Sequence, residues 1–289
     1  MYKQIAANKR NTIIIMLLFI AFIGVIGGIF AFVFKDWWVE LGILAIAIAY
    51  AVFQYFAASS LAVAMTGARQ IEKKDNPKLY NAVENLSQTA GLPMPKVYII
   101  DDPAPNAFAT GRDPNHSLVA VTTGLLDIMD KNELEAVIGH ELSHIKNYDI
   151  RVSMITFGLV CVVGFVSDLG LRMSYYGKDE DRSPVGAVIL LITAIFAPLA
   201  ASLAQLAVSR EREYLADASS AHLTRYPEGM IAALKKLDEH SRPMRRQNAA
   251  TEALYINNPM KKGTLSSLFS THPPIEKRIE RLENGKNKF

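Results

Sequence analysis

One cysteine in 289 residues is the chain's clearest scarcity. Cys161 stands among Val160, Val162 and Val163, where a thiol behaves as a small buried hydrophobe. No intrachain disulfide can form, and a nucleophilic-cysteine enzyme has no support. An excess of one charge sign is missing too: 31 Lys and Arg offset 28 Asp and Glu, for a formal net charge of +3. The basic residues are scattered, which removes the electrostatic case for a nucleic-acid partner. Apolar residues, by contrast, are abundant. At 50% hydrophobic and a mean hydropathy of +0.14, the chain is too apolar for an ordinary soluble enzyme and too charged for a pure membrane bundle.

The apolar residues fall into four runs, expected at 12–34, 41–65, 152–171 and 185–208. The first is longer than a signal-peptide core and has no small-residue cleavage site after it, so it reads as a retained transmembrane helix. Its length, about twenty-three residues, suffices to cross roughly 30 Å of hydrocarbon. Gly24, Gly27 and Gly28 give it a small-residue face for helix packing. A polar break at Lys35 to Glu40 carries Trp37 and Trp38, residues that suit a membrane interface. Lys3, Lys9 and Arg10 precede the first run, and Arg69, Lys73 and Lys74 follow the second. The positive-inside bias places the N-terminus and the chain after Thr66 in the cytoplasm. The later two runs are each long enough to span, although a pair of buried helices fits the same composition; Asp168 and Pro198 interrupt them.

The chemistry lies in His140-Glu141-Leu142-Ser143-His144. Histidines at i and i+4 of a helix share a face and can grip one Zn²⁺, with Glu141 placed to polarise the attacking water. The pattern alone is short and arises by chance in roughly one chain in a hundred of this length, as two surface histidines flanking a solvated glutamate. Its context argues for a real helix. Asp130-Lys131-Asn132-Glu133 has the form of a capping box, and Leu134, Val137, Ile138, Leu142 and Ile145 recur at helical spacing.

A catalytic zinc of this kind takes a third protein ligand and leaves the fourth position to water. The next acidic cluster, Ser209-Arg210-Glu211-Arg212-Glu213-Tyr214-Leu215-Ala216-Asp217, puts Glu213 and Asp217 on one helical face while Glu211 and Arg212 point elsewhere. Glu213 can reach the metal, and Asp217 or Asp149 can orient a histidine through its second ring nitrogen. Spacing alone leaves Glu213 open to a plainer role, a salt-bridged surface glutamate.

Taken with Thr271-His272-Pro273-Pro274, these ordered motifs resemble the HtpX family of membrane-bound zinc metalloproteases, bacterial relatives of the CAAX prenyl proteases. The resemblance covers essentially the whole chain. It implies one Zn²⁺ held by His140, His144 and Glu213, with Glu141 as general base and His272 returning to hydrogen-bond the oxyanion. It also implies a substrate-binding edge at Asn106, Ala107 and Phe108, with Asn106 bonding the peptide. Without the resemblance that segment is a strand or loop with one aromatic, and His272 simply caps a helix whose first turn holds prolines.

The remaining sequence frames these sites. A helix is expected from Pro77 to Gly91, strands at 97–100 and 118–121, and a mobile, Arg-, Lys-, Asn- and Pro-rich loop at 241–265. His116, His222 and His240 read as turn or exposed residues, and Arg278 as a partner for a carboxylate near the cleft. The fold class expected is a mainly α integral membrane protein: four transmembrane helices with a cytoplasmic α+β zincin-like protease domain containing a small β-sheet. The divisions are 1–65, a transmembrane hairpin; 66–151, the catalytic part with the His-Glu-x-x-His helix; 152–208, a second hairpin; and 209–289, the part with the third ligand. Four crossings return Glu213 to the side that holds His140 and His144, so the metal site requires an even number. The expected activity is hydrolysis of misfolded or damaged membrane proteins at a bacterial cytoplasmic membrane, the site facing the cytoplasm. A narrow-specificity prenyl-peptide protease and a scaffold with a structural zinc are the alternatives.

Overall fold

The computed structural model describes residues 2–158, 210–246, 251, 254–257 and 273–285. The expected second hairpin thus lies outside the described residues except for 152–158, as does His272.

Two long helices open the chain, α1 (Tyr2–Phe34) and α2 (Trp37–Thr66). Both are long and apolar enough to cross a membrane. Between them the expected six-residue polar break shrinks to a tight corner. Asp36 is the N-cap of α2, accepting a 2.9 Å hydrogen bond from the Trp38 N–H, so Trp37 to Glu40 already form its first turn. Gly24 permits the close approach of the two helices: a Cβ there would sit 3.2 Å from the Leu44 side chain. Ile13, Leu17, Leu18, Leu41, Ile46, Phe53 and Phe56 are exposed around the hairpin, as a lipid-facing surface must be.

The end of the hairpin that holds the N-terminus and Thr66 is different. Ile15, Phe19, Ala58 and Ala62 are buried in one cluster with Ile100, Phe108, Leu118 and Ala120 of a four-stranded sheet. The strands are β1 (Arg69–Gln70), β2 (Lys96–Ile100), β3 (Ala107–Gly111) and β4 (Ser117–Thr122), in the order β1-β2-β4-β3. β2 and β4 are parallel; the outer pairs are antiparallel. On the opposite face of the sheet, Val97, Val119 and Val121 pack with Leu79 and Val83 of α3 (Pro77–Ala90) and Leu134, Ile138 and Leu142 of α5 (Lys131–Lys146). All six β4 residues are therefore buried, because a membrane hairpin covers one face and helices the other. A short helix, α4 (Thr123–Ile128), links β4 to α5.

Three further helices complete the described chain: α6 (Arg210–Thr224), α7 (Pro227–Glu239) and α8 (Ile275–Gly285). α6 lies against α5 at Gly139, where a Cβ would come within 2.9 Å of the Ser220 hydroxyl. That hydroxyl donates to the Ala136 carbonyl at 2.5 Å, fixing the two helices at a separation only glycine allows. Gly139→Ala should destabilise the protein by about 1–3 kcal/mol, the usual cost of overpacking, measured by chemical unfolding.

The described residues of the expected mobile loop, 241–246, 251 and 254–257, are docked on the protein. Met244, Leu254, Tyr255 and Ile256 are buried, Tyr255 meets Phe108 edge-on at 5.2 Å, and the Ile256 N–H bonds the Ala107 carbonyl at 3.0 Å. Its polar composition hid a few apolar anchors that dock on the edge of β3.

Candidate metal centre

Helix α5 begins as its sequence requires. Asp130 accepts from the Glu133 N–H at 2.9 Å, and the Glu133 carboxylate accepts from the Asp130 N–H at 2.8 Å, a complete capping box. With its start fixed, the helix buries Leu134, Val137, Ile138, Leu142 and Ile145 and brings His140, Glu141 and His144 to its far end. Helix α6 contributes Glu213 and, one turn later, Asp217, both buried.

These side chains converge on one point. The Nε2 atoms of His140 and His144 are 3.1 Å apart; Glu213 places Oε2 3.7 Å from the first and Oε1 3.5 Å from the second. On the far side of each ring a carboxylate takes the Nδ1 hydrogen: Asp217 at 2.9 Å for His140, Asp149 at 3.1 Å for His144. That pairing fixes the tautomer, leaving both Nε2 atoms as lone pairs aimed at each other and at a carboxylate. Three acceptors facing one another need a cation between them. The separations of 3.1, 3.5 and 3.7 Å bracket the roughly 3.3 Å edge of a tetrahedron whose metal–ligand bonds are about 2.0–2.1 Å. The donor set fits a zinc ion.

Electrostatics without a metal are consistent with that demand. Burial alone would hold the His144 imidazole down, but its hydrogen bond to Asp149 and the charge of Glu213 outweigh burial and push it up to about 9. A proton then supplies the missing positive charge. His140 goes the other way, its burial outweighing Asp217. Burial pushes the Glu141 carboxyl up to about 7; His144 and the Ala109 N–H oppose the rise and Glu213 adds to it.

The ring of charge around these side chains includes Arg278, the carboxylate partner expected from the sequence. Arg278, 1% exposed, projects from α8 and forms a two-pronged pair with Asp217, Nε to Oδ2 at 2.8 Å and Nη2 to Oδ1 at 2.6 Å. Its Nη1 lies 3.7 Å from Glu213 Oε2. Although burial works against it, this charge holds Asp217 below the usual carboxylate range. Arg212, expected to point away, is instead buried with its Nε 3.6 Å from Asp149 Oδ1. A helix face that buries two acids needs compensating cations close by, a signal legible in the sequence.

The expected substrate segment is β3, at the sheet edge. Its side chains are spoken for: Ala107 and Phe108 are fully buried, and Asn106 donates to the Asn257 carbonyl at 2.8 Å while accepting from the Asn257 N–H at 3.2 Å. Asn106 thus latches the 254–257 segment to the sheet, and among the described residues the β3 backbone offers hydrogen-bonding groups at the edge. Ala107 turns its carbonyl outward to Ile256, so Ala109, two residues on, turns outward as well. Its N–H reaches the Glu141 carboxylate, which puts the strand edge beside the cluster of His140, His144 and Glu213. Asp113 pairs with His116 in a short turn, while His222 and His240 are exposed, as their sequence surroundings suggested.

The family model for peptidase family M48 matches residues 73–286. The chain belongs to peptidase family M48. Within that family it is 54% identical to a "Protease HtpX homolog" of Tropheryma whipplei (strain Twist), all of both chains being covered. It is 47% identical to a protein of the same description from Streptococcus pyogenes serotype M5 (strain Manfredo), over 98% of this chain and 99% of the relative. Among solved structures, Ste24p of S. mikatae matches with a TM-score of 0.53 at 19% identity, over 91% of this chain and 61% of Ste24p's length. That likeness concerns the fold. M48 membership and the HtpX relatives make this chain a membrane metalloprotease.

Proposed function

We propose that the chain is a zinc-dependent endopeptidase that cleaves unfolded or misfolded membrane proteins at the cytoplasmic membrane surface. The observation that carries this reading is the acceptor-only cluster of two Nε2 atoms and Glu213 beside the Glu141 carboxylate, under an edge strand. One zinc per chain would be held by His140, His144 and Glu213. When bound it supplies Lewis acidity, polarising the scissile carbonyl and lowering the pKa of the attacking water.

The chain's own residues do the rest. Asp217 and Asp149 keep the two Nε2 lone pairs turned inward. Glu141 takes the water's proton and later delivers it to the leaving amine. The backbone of Ala109 to Gly111 pairs with an extended substrate, which makes sequence specificity loose. His272 would donate to the oxyanion, as the family resemblance implies.

Membrane placement rests on the exposed apolar surface of α1 and α2 and on the basic residues Lys9, Arg10, Arg69, Lys73 and Lys74 at their shared end. The second hairpin, 152–208, is part of this reading. Asp149 and Glu213, which flank that segment in sequence, both meet His144, which supports an even number of crossings between them.

The test is cleavage of an unfolded model protein by the detergent-purified full chain. Activity should vanish with chelator and return with added zinc. A chain that binds one zinc but leaves such substrates intact would refute the broad-specificity endopeptidase and favour a narrow prenyl-peptide protease or a scaffold.

A further inference from the structure

The metal site is tied to the first membrane helix by two adjacent residues. Asn8 is 2% exposed, and its side-chain amide donates to Asp149 Oδ1 at 2.6 Å and to the Asn147 carbonyl at 2.8 Å. Its neighbour Lys9 places its ammonium 4.5 Å above the centre of the Tyr148 ring. Between the two bonded residues, Tyr148 has φ 61°, a left-handed conformation that an aromatic residue adopts only when its surroundings enforce it. This corner ends the turn after α5 and swings Asp149 back to His144.

We propose that Asn8 is a positioning residue for the metal site, acting through Asp149 on His144. The argument rests on how the two carboxylate oxygens are divided. Asp149 Oδ2 faces His144 Nδ1 at 3.1 Å, and Oδ1 faces away from the ring towards Asn8, with Arg212 Nε at 3.6 Å. A carboxylate held at one oxygen only can rotate, and the histidine it orients rotates with it. Asn8 is well suited to the task because it donates two hydrogens without adding charge, so both the Asp149 oxygen and the Asn147 carbonyl are satisfied by one amide. The lipid-exposed surface of α1 begins at Ile13, little more than one turn beyond Asn8. Membrane anchor and Asn8 therefore share one helix, and the anchor reaches the site through Asp149.

This inference rests on the zinc reading above, and the experiment separates the two. Zinc affinity is measured by competition with a chromophoric chelator on the detergent-purified full chain, beside helical content and unfolding temperature. Asn8→Asp sets a carboxylate against Asp149 and should weaken zinc binding about 10–100-fold, the usual effect of disturbing a group that orients a metal-bound histidine. Asn8→Ala should weaken it less, and Asn8→Gln should restore part of the loss. Phe19→Ala, which opens a cavity under the same helix three turns on, should lower the unfolding temperature and leave zinc affinity within about two-fold of the parent. The proposal is overturned if Asn8→Ala and Asn8→Asp hold zinc like the parent while Asp149→Asn does not, since Arg212 and the backbone would then suffice. It is equally overturned if Phe19→Ala loses zinc to the same degree, since general loosening of α1 would explain both. A parent chain that binds no zinc would overturn the zinc reading first, and this inference with it.

Discussion

Glu141→Gln is expected to lower kcat by about 10²–10⁴ while zinc binding is retained. The geometry makes this a clean substitution. Glu141 is buried with its carboxylate against the Ala109 N–H, and a glutamine amide oxygen accepts the same hydrogen bond in the same volume. What it cannot do is accept a proton. None of the proposed ligand atoms belongs to residue 141, so stoichiometric zinc should survive in the variant. Peptide cleavage and bound metal, measured on one preparation, check the assignment; a variant that turned over at the parental rate would refute Glu141 as the base. The parent adds a pH signature. A base must be ionised to act, so activity falls as pH drops through the Glu141 pKa. Without metal, burial and Glu213 push that value up to about 7. A dication beside the carboxylate favours its charged form, which places the acid limb of kcat/KM below pH 7 in the zinc enzyme.

How much of this was legible beforehand depends on the range of the interaction. Helix α5 was readable because its signals are local: Asp130 and Glu133 are three residues apart, and the apolar residues behind the histidines recur at helical spacing. The strands at 97–100 and 118–121 were equally local, and they form β2 and β4. Glu213 was ambiguous from spacing, because a carboxylate on an amphipathic helix serves a metal or a surface ion pair equally well. Only its meeting with His140, far away in sequence, distinguishes them. Asn8 was hidden more thoroughly. A lone amide at the edge of an apolar run looks like a helix end in water, and its partner lies 141 residues further on. Helical periodicity puts Arg212 off the Glu213–Asp217 face, whereas the corner at Tyr148 brings Asp149 around to meet it. Residues 254–257 escape hydrophobic periodicity, which detects elements and has no sensitivity to four residues docked on a strand edge.

Arg278→Met is expected to destabilise the metal-free protein by about 3–5 kcal/mol, more than any other single change considered. The guanidinium is 1% exposed and meets Asp217 at 2.6 and 2.8 Å, Glu213 at 3.7 Å, the Ile256 carbonyl at 3.4 Å and His140 Nδ1 at 3.5 Å. It therefore ties α8 to α6 and to the segment latched on β3. Methionine fills much of the volume but leaves Asp217 buried with His140 as its remaining charged or polar partner among the contacts described. The cost lies in that stranded carboxylate more than in the lost attraction. Adding Asp217→Asn should therefore recover part of the loss, a coupling of about 0.5–3 kcal/mol in a double-mutant cycle read by chemical unfolding under excess chelator. Absence of coupling would mean that Arg278 acts by packing alone. Repeating the cycle with zinc should shrink the differences, because a bound dication stabilises Glu213 and, through His140, the orientation of Asp217. With zinc held as proposed, the buried arginine and the metal stand on two sides of one carboxylate pair, each able to compensate the charge that the other leaves behind.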